Sequence, residues 1–387
     1  MGKRPRYEMV MNIPAPYRIP LFEELHRQMD ARGVDFKVHF MNRGHKDRPK
    51  SWLNPKLNAP HEYYANLGFD QHEFNPSLIL KLILNPPEWL ELGSPYDTFT
   101  CIFLALFCRA KHIVMGLEGN TKTPGKMTGF VGWFKRLIIS RATQFHTPSS
   151  DGIKFFDMHR KLSKKELAPC TILPNIIDES RFRTRDEWSQ NGDDEEIHAI
   201  RADQFEVDEQ IRVCMIPARL EPVKGLIPFL SLVTPEMVSG WKIVVVGQGP
   251  LKAEIKKLLA ARKIEDKVKI LDYVQYERMP KYYAASDLVL LPSIYDPNPL
   301  TCVETLHSGL PLALSCMAGN VEEAVTEGKN GWVLPVRDGE LYRAKLAEVF
   351  STPIDKLREM GKVSKEVNAR YWITSEAVTR FLNSIEV

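Results

Sequence analysis

The chain has 387 residues, of which 44% are hydrophobic and 26% charged, with a net charge of +3. That length exceeds one ordinary core and suits two α/β domains, and the composition excludes a disordered or fibrous protein. The charge is uneven: residues 1–175 hold 25 Lys and Arg against 16 Asp and Glu, and the remainder holds 27 against 33. A basic first half points to nucleic acid, an anionic membrane surface or an acidic substrate. No recognised nucleic-acid motif accompanies it, so no nucleic-acid role is expected.

The opening MGKRPRYEMVMNIP is basic but lacks a long apolar region, so it does not read as a signal peptide, and Arg6 argues against a myristoylation signal. YEMVMN (7–12) predicts a first strand. NIPAPYRIP then turns into a helix that puts Leu21, Phe22, Leu25 and Met29 on one face. Residues 35–41 predict a second strand. Residues 42–75 are polar, aromatic and Pro-containing, and read as an active-site loop region. The most apolar run, 99–108, is far shorter than the roughly 20 residues of a membrane span and predicts a buried helix. Residues 112–119 predict another strand, and 171–175 a strand that closes the first sheet. Glu118, in GLEGN, and His146, in QFHTPSS, each sit at a strand end, where a purely structural role is also open.

Residues 122–141 combine Lys122, Lys126, Lys135, Arg136 and Arg141 with Phe130, Trp133 and Phe134. This is the composition of a helix lying on an anionic membrane, although the apolar face could equally pack on the core. The six cysteines form no CxxC pair. They predict buried thiols in a reducing compartment, hence a cytoplasmic protein, and with residues 122–141 a place at the inner face of a membrane is the accompanying expectation.

From about Thr184 to Gln210 the sequence reads as a solvated connection with one short helix, and its NGDDEE run as loop charge rather than a metal site. The strand pattern then restarts. Runs at 211–218, 242–247, 267–271, 287–292 and 310–315 are nearly continuous in apolar residues, as in a parallel sheet covered on both faces. The last segment, about 374–385, predicts an amphipathic helix that crosses back onto the first domain.

Ligands of such sheets bind beyond the carboxyl ends of the strands. In ARLEPVKG, Arg219 and Lys224 offer a planar fork and a point charge suited to a diphosphate. In VGQGPLK, Gly247 and Gly249 permit a tight turn and a close ligand, or merely close packing. The segment PSIYDPNPLTCVETLHSGLPLALS is the strongest signal. A helix begins near Leu300, and the N–H groups of Leu300 and Thr301 favour a phosphate oxygen, since Pro299 has none. Glu304, one turn in, could accept from ribose hydroxyls, and Asp296, on the loop, could hold hydroxyls of a sugar. Gly319 and Asn320 fall in a loop before a further helix, and NGW in a turn into a short strand. No convincing metal cluster is present.

RLEPVKG, VGQGP and the D-x7-E segment followed by SGLP resemble the donor-site series of the retaining family-4 glycosyltransferases of the GT-B fold, as do ILPNIID and ASDLVLLPS. The resemblance implies an α/β GT-B fold, two Rossmann-like domains facing a cleft. Residues 1–175 would bind the acceptor, with a helix at about 368–387 packing back on them, and residues 176–367 would bind the donor. It implies a retaining, metal-independent transfer from a UDP- or GDP-sugar to a glycan or lipid-linked acceptor in surface polysaccharide or glycolipid biosynthesis, with no cofactor. Arg219 and Lys224 inherit the pyrophosphate, Glu304 the ribose and Asp296 the transferred sugar, with Asn298 added to the donor set. Glu118, His146 and Arg18 are the first-domain candidates on the acceptor side. The chain departs from the family in having Asp296 for the usual Glu, Pro299 for the usual Gly, and NIPAPYR in place of a Gly-Gly turn. A silent nucleotide-sugar-binding relative and a nucleotide-sugar 2-epimerase are the alternatives.

Overall fold

The computed structural model describes residues 3–44, 55–68, 72–94, 97–122, 129–163 and 168–387. The chain divides into two compact units, 1–178 with 372–387, and 179–371. The divisions fall three and four residues beyond 175 and 367, the positions expected from the sequence. The helix Ile354–Tyr371 runs unbroken to the second crossing point, which sets the later boundary.

The first unit holds seven parallel strands, β1 (Arg6–Met11), β2 (Asp35–Phe40), β3 (His61–Tyr63), β4 (Trp89–Leu92), β5 (His112–Gly116), β6 (Gln144–Thr147) and β7 (Cys170–Ile172), in the order β3-β2-β1-β4-β5-β6-β7. Strand β1 alternates faces. Tyr7, Met9 and Met11 join the core under the helices Ile19–Ala31 and Thr374–Ser384, whereas Val10 joins the core under Pro76–Leu84, Phe99–Phe107 and Gly129–Ile139. The last helix does return to this unit. Ala377, Val378, Phe381 and Leu382 are buried, and Gln28 Nε2 donates to Ser375 O at 2.8 Å.

Two strands depart from the expected pattern. Strand β3 lies inside the 42–75 region read as loop, and β4 was not expected at all. Both are short, and β4 carries Glu91, which is buried because Tyr7 and His146 bind it. The Phe99–Phe107 helix is buried on one face only. Cys101, Leu104 and Ala105 are enclosed, while Phe99, Phe103 and Phe107 are exposed.

The second unit holds six parallel strands, β8 (Arg212–Pro217), β9 (Trp241–Val246), β10 (Val268–Leu271), β11 (Leu288–Leu291), β12 (Leu312–Ser315) and β13 (Gly331–Leu334), in the order β10-β9-β8-β11-β12-β13. All interior strands are apolar on both faces, as the continuous runs predict. The tract 184–210 is more ordered than a solvated connection. A capping box between Thr184 and Glu187 starts Arg185–Gln190, a second helix spans Asp194–Ala199, and a π turn follows at Ile200–Gln204. Ile197, Ile200 and Phe205 are buried, and so is Arg201.

Candidate functional site

In the second sheet, β8 is the strand where the order reverses, with β9 on one side and β11 on the other. The loops after β8 and β11 therefore leave in opposite senses and open a crevice at the carboxyl ends, the usual ligand position in doubly wound sheets. Lys224 comes from the first of these loops and Asp296 from the second. Lys224 Nζ donates to Asp296 Oδ2 at 2.6 Å, and the two side chains are only 21% and 12% exposed. The loops are tied by backbone as well, since Ile294 N donates to Val223 O at 3.0 Å. An ammonium and a carboxylate, 72 positions apart in sequence, are thus fixed together at the switch point.

Asp296 is anchored on its other side by Gly319 N, which donates to Asp296 O at 3.0 Å. Two amides carry buried polar atoms beside these joined loops. Asn298 Oδ1 has no hydrogen-bond partner among the described residues, and the Asn320 amide has none beyond the Cys302 thiol. Buried polar atoms left without partners are uncommon and mark places where a ligand or water completes the bonding.

The helix Leu300–His307 starts directly after Pro299, so the N–H groups of Leu300 and Thr301 lie in the turn that has no partner within the helix. Glu304 lies one turn further, buried. Tyr283 OH, from the helix Met279–Ala284, donates to Glu304 Oε2 at 2.6 Å. Oε1 has no protein partner among the described residues. Burial pushes the Glu304 carboxyl above the usual glutamate value, opposed by the Tyr283 hydrogen bond and the Arg181 charge. Burial also drives the Tyr283 phenol well up, so it stays a donor. Arg181 is itself fixed over the Tyr276 ring at 4.2 Å and donates to Tyr276 O at 3.1 Å.

Arg219 stands apart from this group. Its guanidinium is 68% exposed and pairs with Glu221 at 2.5 Å. Gly247 and Gly249 serve the packing of loops. A Cβ on Gly247 would lie 2.2 Å from Ala218 O, and one on Gly249 would lie 2.5 Å from Leu220 O. Leu220 N donates to Gln248 O at 2.9 Å, so the loops after β8 and β9 are sewn together without room for side chains. A cavity at the end of β10 is lined by Asp272, Tyr273, Gln275 and Arg278.

In the first unit the sequence candidates converge. The order reverses there at β1 and β4, and Arg18, from the loop after β1, pairs with Glu118 beyond β5 at 2.6 Å. His146 Nε2 bonds Glu91 Oε1 at 2.9 Å, and Tyr7 OH donates to Glu91 Oε2 at 2.5 Å. Arg18, Glu118, Glu91 and His146 line one cavity. Gly116 makes room for the imidazole, because a Cβ there would lie 2.8 Å from the ring. Burial and the Glu91 charge both push the Tyr7 phenol well up.

Tyr283, Arg181, Tyr7 and Glu91 escaped sequence reasoning. Each acts through a partner on another element, and no short-range pattern marks such a pair. Of residues 122–141, positions 123–128, including Lys126, lie outside the described residues. Among the described residues, no group of three or more His, Cys, Asp or Glu could hold a metal ion, and no helix is long and apolar enough to cross a membrane.

The family described as Glycosyl transferases group 1 matches residues 197–367. The amylovoran biosynthesis glycosyltransferase AmsK of Erwinia amylovora is 26% identical over 163 residues, 39% of this chain and 40% of its own. The chain spans 33% to 43% of the length of the first curated relatives it matches. Among solved structures, Anabaena HepE in complex with UDP and glucose aligns over 99% of both chains with a TM-score of 0.70 at 17% identity. WaaG, a glycosyltransferase involved in lipopolysaccharide biosynthesis, aligns over 98% of this chain and 99% of its own, with a TM-score of 0.65 at 14% identity. The chain therefore has the GT-B glycosyltransferase fold, and its residues 197–367 match the group 1 glycosyl transferases.

Proposed function

We propose that this protein is a retaining glycosyltransferase. It moves a sugar from a nucleotide-sugar donor to a glycan or lipid-linked acceptor in surface polysaccharide or glycolipid biosynthesis, from a peripheral place on an anionic membrane. The observation that carries the reading is the Lys224–Asp296 pair at the switch point of the second sheet, with a buried Glu304 one turn into the helix that follows the Asp296 loop. The UDP and glucose in the HepE structure favour a UDP-sugar donor.

In this reading Glu304 Oε1 accepts from a ribose hydroxyl while Tyr283 holds Oε2. The Leu300 and Thr301 N–H groups and the Lys224 ammonium face the diphosphate. Asp296, Asn298 and Asn320 meet sugar hydroxyls, and the cavity at the end of β10 takes the nucleobase. The bond from the anomeric carbon to the phosphate oxygen breaks, and its electron pair leaves with the nucleoside diphosphate. The acceptor oxygen bonds to the same face of that carbon, and its proton passes to the departing phosphate. Fixed positive charge where negative charge develops lowers the barrier, and this arrangement needs no metal. Arg219 reaches the diphosphate by leaving Glu221, at little cost for so exposed a pair.

Thermal shift and turnover with UDP-, GDP- and ADP-sugars in EDTA test the reading, because a bound donor raises apparent stability by mass action. Glu304→Gln is expected to weaken donor binding about 10- to 100-fold, since it removes a charge-assisted hydrogen bond. No shift with any nucleotide sugar would refute the donor site. A shift without hydrolysis or transfer would indicate the silent binder.

On the acceptor side, Glu91 orients His146, whose imidazole presents its other nitrogen to an acceptor hydroxyl. Glu91→Gln is expected to lower transfer about tenfold, by loss of a charged hydrogen bond, without changing the donor thermal shift. An equal loss of donor binding would remove Glu91 and His146 from the acceptor.

A further inference from the structure

Three consecutive helices of the first unit cover the same face of the seven-stranded sheet. Pro76–Leu84 buries Leu78, Ile79 and Leu82, Phe99–Phe107 buries Cys101, Leu104 and Ala105, and Gly129–Ile139 buries Ile138 and Ile139, all within one core. The helices lie side by side, the second touching both the first and the third. Their outward surfaces therefore point away from the sheet in the same sense.

Those outward surfaces are apolar. On the first helix Leu80 and Leu84 are four apart, and Leu84 is 80% exposed. On the second, Phe99, Phe103 and Phe107 repeat every four residues, and Phe107 is 56% exposed. On the third, Phe130, Trp133 and Leu137 follow at spacings of three and four, with Phe130 77% and Trp133 53% exposed. Each set makes one stripe at helical spacing, so every helix is apolar on both its inner and its outer side. Phe130 stacks on Trp133 at 5.8 Å and Phe103 meets Phe107 at 5.9 Å, so exposed rings pack in pairs along the second and third helices.

The charges carried by the three helices have one sign. The three helices, PSLILKLIL, FTCIFLALF and GFVGWFKRLII, contain Lys81, Lys135 and Arg136 and no carboxylate. Arg109 is exposed just beyond Phe107, and Arg141 Nε donates to Ala105 O at 3.3 Å, which brings the ends of the second and third helices together. Lys81 pairs with Glu62, and Asp97 interacts with Lys135, which leaves Arg109 and Arg141 as cations not matched there by these carboxylates.

We infer that this three-helix face docks the protein on an anionic lipid bilayer, with the leucine and aromatic stripes in the acyl boundary and the flanking arginines and lysines at the headgroups. It deepens the membrane part of the proposed function. Exposed apolar stripes on neighbouring helices mark an interaction site. A protein partner would need directional polar contacts, about one hydrogen bond per 100–200 Å2 of interface. Of the stripe side chains, only Trp133 carries a hydrogen-bonding group. A bilayer asks for none, and it rewards aromatic rings at its boundary and basic residues at its anionic surface.

The full chain is sedimented with vesicles of phosphatidylcholine alone and of phosphatidylcholine mixed with phosphatidylglycerol. Binding to the mixed vesicles is expected, falling with added salt and with removal of the anionic lipid. Phe130→Ser with Trp133→Ser, and separately Leu84→Ser with Phe107→Ser, are each expected to lower the partition coefficient at least about tenfold. Two separate pairs keep the test intact if one variant misfolds. Circular dichroism and the donor-induced thermal shift should be unchanged in both, so failure of docking is read apart from failure of the donor site. Absence of vesicle binding by the wild type, or equal binding by the variants, would overturn the inference. So would a concentration-dependent dimer abolished by the same substitutions, which would assign the face to a second copy of the chain.

Discussion

Replacing Lys224 by methionine is expected to lower kcat for glycosyl transfer about 10^3-fold, with a smaller effect on KM. Methionine keeps most of the aliphatic stem and removes only the charge. In the proposed reaction the leaving oxygen gains negative charge in the transition state, and the Lys224 ammonium is the least exposed cation proposed to meet it. Interactions that strengthen in the transition state act on kcat. The loss equals about 4 kcal/mol of barrier. Stability should fall too, because Asp296 is left largely enclosed without its partner, at a cost of about 1–3 kcal/mol. Adding Asp296→Asn should recover the unfolding midpoint and leave kcat low. A single variant that keeps kcat within a few-fold of wild type would take Lys224 out of the reaction.

Arg201→Met should give the largest loss of stability without touching the donor residues. Arg201 is buried and donates from Nη1 to Ala285 O at 2.8 Å and from Nη2 to Ile211 O at 2.6 Å, with Nη1 3.2 Å from Asp287 Oδ2. Asp287 also accepts from Val213 N at 2.8 Å, so the arginine locks the π turn onto the start of β8 and the approach to β11. Removing it strands a nearly enclosed carboxylate and two carbonyls. A loss of about 3–5 kcal/mol is expected, read as a lower denaturant midpoint at unchanged slope. A loss under about 1 kcal/mol would mean that Asp287 finds adequate partners in Arg185 and Val213.

What could be read from the sequence divides by the range of the interaction. The long apolar strands of the second unit are unambiguous because both faces are covered, and the loops after β8 and β11 are legible because charge and proline punctuate their ends. Lys224 and Asp296 were visible as chemistry, but their direct pairing was not, since 72 positions separate them. The two glycines of VGQGP satisfied a ligand reading and a packing reading equally, and the structure shows the close approach of Ala218 and Leu220 that the packing reading requires. Strand β4 was missed because a glutamate in a four-residue strand reads as exposed until its two partners are known. Arg201 was missed for the same reason: a cation in an acidic, Gly-containing tract has no local mark of burial.

The helix Thr374–Ser384 supplies Ala377, Val378, Phe381 and Leu382 to a core whose other members come almost entirely from residues 7–176. On the ribosome, that core stays open on one flank until the helix Thr374–Ser384 is made, whereas the unit 179–371 can finish as soon as Tyr371 emerges. The unit begun first is thus closed after the one that interrupts it, and a nascent chain stalled between Tyr371 and Phe381 would present uncovered apolar surface to chaperones.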